Sequence, residues 1–187
     1  MAMGMLFFEV FDQLTNLPKE LEAFFRDVMV ERVTISKSKA EFRIYMKSKR
    51  LIQRKIIKKM ECQIYKQLFS STRNAIVFYE NYTLSEQYTP EKLFQIYRDS
   101  ILEEFREKSI LEYNVFELAE IRFEDNVLIF DCEENFLVRK MSGNIIQQLS
   151  DLFRERFNFD VHVRFEYHEP KKKEKAEEYE YEAIKRS

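Results

Sequence analysis

Apolar residues recur at helical spacing through Leu6, Phe7, Val10, Phe11 and Leu14, predicting a helix over 5–14 that ends at Thr15 and Asn16. Pro18 suits a first helical turn, and Leu21, Phe24, Phe25 and Val28 supply the apolar stripe of a second helix. From Val30 the period falls to two. Val33 and Ile35 alternate with Arg32, Thr34 and Ser36, and Phe42, Ile44 and Met46 alternate with Glu41, Arg43 and Tyr45, so two paired strands are expected around a polar turn at 37–39. Ile52, Ile56, Ile57, Met60, Ile64 and Leu68 then mark one side of a long amphipathic helix over 51–69. The run Ala75, Ile76, Val77, Phe78, Tyr79 has the composition of a strand in the middle of a sheet.

After a polar interval at 83–88 the same order restarts. Thr89 with Pro90 and Glu91 forms a helix start, followed by Leu93, Phe94, Tyr97, Ile101, Leu102 and Phe105. A shorter helix over 110–118 leads to Ile121 and Phe123, and Glu124, Asp125 and Asn126 turn the chain into Val127–Phe130. A second long helix spans 136–157, interrupted only by Gly143, read as a small residue for helix packing; Val161, Val163 and Phe165 close the series as a strand. The fold class is therefore α+β, with two tandem units, each helix-helix-strand-strand-helix-strand. The expected boundaries are 1–82, 83–170 and a solvated tail or linker over 171–187, where the text becomes Glu, Lys and Tyr without an apolar face. One continuous core joining both halves is the alternative.

With 45% hydrophobic and 34% charged residues, the chain has material for a core and a soluble surface. Only two Gly and three Pro occur, which disfavours turn-rich barrels and sandwiches. Cys62 and Cys132 show neither a paired spacing nor nearby histidines, so they are expected to be reduced thiols rather than zinc ligands or a disulfide. No apolar run approaches the roughly 20 residues of a membrane span, and Glu9 and Asp12 interrupt the N-terminal apolar stretch. A cytoplasmic protein is the expectation.

Net charge is −2, but its distribution is uneven. Residues 37–73 hold 12 Lys and Arg against Glu41 and Glu61, a balance of +10, which leaves −12 for the rest (19 basic, 31 acidic). Arg50, Arg54 and Lys58 follow i, i+4 spacing along the long helix, with Lys55 and Lys59 beside them, opposite its apolar stripe. These five are the candidate contacts to phosphate or to an acidic partner; the alternatives are docking onto the acidic remainder of the chain and simple solvation.

Chemistry-bearing motifs are weaker. Ile129-Phe130-Asp131-Cys132-Glu133 opens like a proofreading exonuclease site, whose carboxylates hold a metal pair, but no Asp follows His162 or His168 to complete the set. Asp131 and Glu133 read more simply as a strand end and the acidic start of the next helix. His162 and His168 share a strand face by parity, and an exposed polar edge is the simpler account than a metal pair. Ser142-Gly143-Asn144 lacks the strand and Lys of a phosphate loop. No catalytic residue, cofactor or metal is expected.

The element order is similar to the KH-like arrangement of DnaA domain I and of domain V of the clamp-loader subunit tau. More specifically, Val33-Thr34-Ile35-Ser36-Lys37 to Phe42-Arg43-Ile44, Ile64-Tyr65, Leu68-Phe69, Asn126-Val127-Leu128-Ile129 and Phe157-Asn158-Phe159 resemble the N-terminal region of PolC-type DNA polymerase III alpha subunits. The resemblance runs to about residue 170. It implies two tandem KH-like units ahead of the polymerase and proofreading modules, which belong to later segments of such a polymerase, so this chain would be a non-catalytic fragment. It also implies a replisome partner, such as a clamp-loader, helicase-loading or other replication factor, with DNA as the alternative contact through helix 50–66. No Gly-x-x-Gly loop of RNA-binding KH domains is present, and neither a membrane nor a small-molecule substrate is implied.

Overall fold

The structure, a computed structural model, describes residues 4–170. The expected tail over 171–187 lies outside the described residues.

The first half runs β1 (Met5–Leu6), α1 (Phe7–Val10), α2 (Lys19–Phe25), β2 (Met29–Ser36), β3 (Glu41–Ser48), α3 (Arg54–Ile64), a π-helical turn (Tyr65–Phe69) and β4 (Ala75–Tyr82). The second half runs α4 (Pro90–Lys108), α5 (Ile110–Leu118), β5 (Glu120–Glu124), β6 (Val127–Glu133), α6 (Phe136–Phe157) and β7 (His162–His168). The result is mixed α+β with two small mixed sheets. One is ordered β1-β2-β3-β4 and the other β5-β6-β7. In each, a hairpin pairs antiparallel and a helical crossover then brings the last strand parallel to the second strand of the hairpin.

Local chemistry accounts for most element ends. The Thr89 hydroxyl accepts from Lys92 N ahead of Pro90, Ser109 caps α5 through Glu112 N, and Asn135 caps α6 through Val138 N. Asp125 and Asn126 both have positive φ, the requirement of a two-residue hairpin whose twist matches its strands. Asn158 closes α6 in the left-handed conformation, with Phe159 N reaching back to Phe153 O.

Four expectations change. The predicted first helix survives only as Phe7–Val10, because Met5 and Leu6 instead pair with Val30 and Met29. Gly4 permits that approach: a Cβ there would stand 2.9 Å from Val30 O. The long third helix loosens into a π turn after Ile64, where Phe69 swings against Phe42 with ring centroids 4.3 Å apart. β4 lies at the edge of its sheet, since the parallel crossover sets it outside β3. Gly143 is exposed, and a Cβ there would meet nothing within 4 Å, so packing does not require it.

Buried side chains from both halves join one hydrophobic cluster, the continuous core held as the alternative above. In the first half Phe7 packs on Phe25 (4.8 Å) below Phe78 of β4. In the second, Phe116 packs edge-on to Phe130, which stacks on Phe165 at 4.9 Å. Tyr82 of β4 stacks on Phe157 of α6 at 5.5 Å, carrying the apolar contact across the junction.

Two backbone positions make this description testable. Gly143→Ala is expected to stabilise the chain by about 0.5–1 kcal/mol, because it removes chain entropy from the unfolded state without a clash. Ala40 holds φ 50° in the β2–β3 turn, so Ala40→Gly is expected to stabilise despite Gly's greater flexibility, by relieving about 1 kcal/mol of left-handed strain. Thermal or urea unfolding of the single variants measures both effects.

Candidate functional site

The five basic residues singled out for the third helix do not form one free surface: α3 begins at Arg54, so Arg50 lies in the connection after β3 and not on the helix. Arg54 turns inward, its side chain only 13% exposed, and pairs with Glu61 of its own helix (3.1 Å) and Glu107 of α4 (3.0 Å). Lys58 shares Glu107 at 3.0 Å, and Lys59 reaches Glu20 of α2 at 3.0 Å. Arg50 donates to the Ala23 carbonyl and lies over the Phe24 ring. Lys55 is exposed and, among the described residues, has no carboxylate partner. The i, i+4 spacing thus brings Arg54 and Lys58 together, on a carboxylate more than 40 residues away. Their neighbours diverge.

The residues that tie the halves together escaped the sequence reading. Arg156 near the end of α6 inserts between Glu80 of β4 and Glu104 of α4, making a hydrogen-bonded pair with Glu104 and standing 3.9 Å from Glu80. Glu80 Oε2 accepts from the Tyr97 hydroxyl (3.1 Å) and lies 2.8 Å from that of Tyr82, while Tyr97 accepts in turn from Arg156. Around them Gln53 and Ser100 bond across the junction, and Asn81 donates to the Glu155 carbonyl. A signal existed in the sequence: Glu80 occupies the inward parity of Ile76, Phe78 and Tyr82, where a lone carboxylate demands a buried partner.

Burial governs the titration of this cluster. It raises the Glu80 carboxyl, a shift reinforced by Glu104 and opposed by Arg156. Burial also pushes Glu104 up, but the charge and hydrogen bonds of Arg156 outweigh it and hold that carboxyl below its ordinary value. Burial raises Glu61 against the attraction of Arg54. Glu107 is held low because hydrogen bonds from Arg54 and Lys58 exceed its burial. Tyr82 and Tyr97 are pushed up, first by burial and then by Glu80.

Asp131 sits on the outward face of the second sheet, where His168 Nδ1 lies 2.8 Å away and Arg122 3.5 Å. Arg122 also binds Glu124 and Glu166, and Arg164 binds Glu166. The strand parity that puts His162 and His168 on one face holds, and His168 is engaged by Asp131. Among the described residues no group of three or more His, Cys, Asp and Glu is placed to hold a metal ion. Cys132 is buried, with its thiol raised by burial to about 11, while Cys62 is exposed. Phe116 is core and Tyr88 half-buried. No described helix is long and apolar enough to cross a membrane.

These features define a mixed α+β chain whose polar side chains, at the junction and on the second sheet, are engaged mainly with one another. Residues 6–79 match the family described as DNA polymerase III polC-type N-terminus I, in agreement with the resemblance carried by Val33–Ile44 and Ile64–Phe69. The match takes in most of the first half and stops before the second. No curated protein matches the chain.

Removing Arg156 leaves two carboxylates facing each other in the junction. Arg156→Met is expected to cost about 3–5 kcal/mol, Glu104→Gln less, and Glu80→Gln least, since Glu80 is the carboxyl that burial already disfavours; urea unfolding of the three variants checks the order. The pH dependence follows from the same groups. Glu104 and Glu107, held low in the folded chain, contribute stability that is present above the ordinary glutamate value of 4.5 and lost as pH falls through their folded values. Glu61 and Glu80 act oppositely, contributing below 4.5 and losing that contribution as pH rises through their folded values. In urea midpoints measured across acid pH, Glu104→Gln with Glu107→Gln is expected to flatten the loss on the acid side.

Proposed function

We propose that this chain is a non-catalytic interaction region of a PolC-type replicative DNA polymerase and docks another replication protein. The observation that carries the reading is the use of the basic helix. Arg54, Lys58 and Lys59 are spent on Glu61, Glu107, Glu103 and Glu20 within the chain, which leaves Lys55 as the one of the five still on the helix and without a carboxylate partner among the described residues. By contrast, large apolar side chains stand in solvent on the helices of the second half. Leu118 at the end of α5 is 84% exposed and Phe136 at the start of α6 81%, with Ile110 and Leu111 also exposed. Exposed apolar groups of this size favour a protein partner over a phosphate backbone.

The repeated pairing order of the two sheets supports a further part of the reading: 1–82 and 83–170 are tandem KH-like units that share a core. Their surfaces differ in charge, so they face different partners. The rival reading is a DNA contact through helix 50–66, and Lys55 is the residue that keeps it open.

Binding of the full chain to purified clamp-loader and helicase-loading proteins tests the proposal, by biolayer interferometry. Binding to one of them that falls at least tenfold in a Leu118→Glu, Phe136→Glu double variant with unchanged thermal stability is the expected result. Absence of binding to any replication protein, together with duplex DNA binding abolished by Lys55→Glu, would replace it with the rival reading.

A further inference from the structure

The outward face of the first sheet carries a row of side chains that the junction does not use. Arg32 on β2 lies opposite Tyr45 on β3, and Tyr45 lies beside Tyr79 on β4. The Arg32 guanidinium stacks 4.0 Å from the Tyr45 ring, and the Tyr45 and Tyr79 rings stack at 4.8 Å with 23° between their planes. Arg43 stands 5.7 Å from the Tyr79 ring. The row crosses three strands and ends at Tyr79, 38% exposed on the edge strand. Beyond it a groove of about 730 Å³ opens, lined on this side by Lys39, Tyr45, Lys47, Val77 and Tyr79.

The charge around this row is one-sided. Arg32, Lys37, Lys39, Arg43, Lys47 and Arg73 surround it or cap the end of the sheet where Ala75 N bonds Ala40 O, against Glu31 and Glu41, a balance of 6 − 2 = +4. Lys47 and Arg43 hold those two carboxylates, and Arg32, Lys37, Lys39 and Arg73 have no carboxylate partner among the described residues. The far wall carries Glu104, Glu107, Asp151 and Glu155 beside Arg54, Lys108 and Arg156; Glu104, Glu107 and Asp151 are held by Arg156, Arg54 with Lys58, and Arg154, and Glu155 alone of the four has no ion-pair partner among the described residues. A ligand there presents anions to the turn end of the sheet and a flat, uncharged surface to Tyr79. A duplex hides its base faces; an unpaired strand does not.

We propose that the open face of the first sheet, centred on Tyr79, binds single-stranded nucleic acid. Phosphates lie against Lys39 and its neighbours at the turn end, and a base stacks on the free side of the Arg32–Tyr45–Tyr79 row. Glu155, exposed on the far wall, disfavours phosphate on that side and orients the strand with its backbone toward the turn end. Of helix 50–66 only Arg54, already paired with Glu61 and Glu107, lines the groove, and Lys55, Leu118 and Phe136 do not, so the proposal stands or falls independently of the docking reading.

Fluorescence anisotropy with a labelled oligothymidylate of about 20 nucleotides, on the full chain at low salt, tests this. Binding is expected at about 1–100 micromolar, weaker for a duplex of equal length, and falling with salt. Tyr79→Ala is expected to weaken it about 5- to 100-fold while Tyr79→Phe retains it. Lys37→Glu with Lys39→Glu, both on exposed positions at the turn end, is expected to reduce the log–log salt slope by about 1.4. Lys55→Glu should leave binding unchanged. The proposal is overturned by absence of binding at about 100 micromolar, by a folded Tyr79→Ala chain that binds as wild type, or by loss in Lys55→Glu alone. It is equally overturned if an acidic peptide of matched charge displaces the oligonucleotide as well as unlabelled oligothymidylate does, since the face would then be a protein site.

Discussion

Arg156 between Glu80 and Glu104 is the interaction on which the junction depends. Three charges are taken from water there, and desolvation of that kind is repaid only when geometry and hydrogen bonding are good. The two tyrosine hydroxyls beside Glu80 supply part of that hydrogen bonding, and Glu104 takes both terminal nitrogens of Arg156. The three partners come from β4, α4 and α6, so the cluster forms only when the last strand of the first half meets two helices of the second. Apolar contact such as Tyr82 on Phe157 would tolerate a rotation between the halves. A buried guanidinium fitted to one carboxylate does not, which makes the cluster a device for fixing orientation.

The same constraint explains where the positive charge of the first half goes. A balance of +10 over residues 37–73 would repel itself if left on one face. Folding brings Glu107 of α4 onto Arg54 and Lys58, and Glu20 of α2 onto Lys59. Two of the twelve cations, Arg54 and Lys58, are thus answered from the second half and Arg43, Lys47 and Lys59 from within the first, while Lys37, Lys39, Lys49, Arg50, Lys55, Lys66 and Arg73 have no carboxylate partner among the described residues.

Elements governed by near neighbours were legible. The Thr89-Pro90 start, the Asp125-Asn126 turn and the helix at 110–118 each depend on residues within one turn of themselves, and the structure places them as the pattern predicts. Elements governed by distant partners were not. Met5 and Leu6 continue a helical apolar spacing, yet they pair with β2 more than 20 residues on. Arg54 belongs to a basic stripe by spacing, and only the fold reveals Glu107 beside it. Arg156 looks like one more surface charge near a helix end, where a cation is favoured anyway. Strand parity was the one local clue to the junction, because it sets Glu80 among inward residues.

The two sheets share a pairing order but not a surface, and that difference bears on what each can bind. On the second sheet, Ile129 points outward but is fully buried, among strands whose outward positions carry Arg122, Glu124, Asp131, Arg164 and Glu166 in a continuous set of ion pairs, with His168 hydrogen-bonded to Asp131 at its end. Any ligand on that face would have to break pairs that already satisfy one another. On the first sheet the corresponding positions hold aromatic rings and arginine stacks, with cations left over. An aromatic face keeps its attraction for a flat partner after stacking on one side, whereas a satisfied ion pair keeps little. Duplicated topology therefore gives one sheet that closes on itself and one that remains open, and recognition by the first half does not require any by the second.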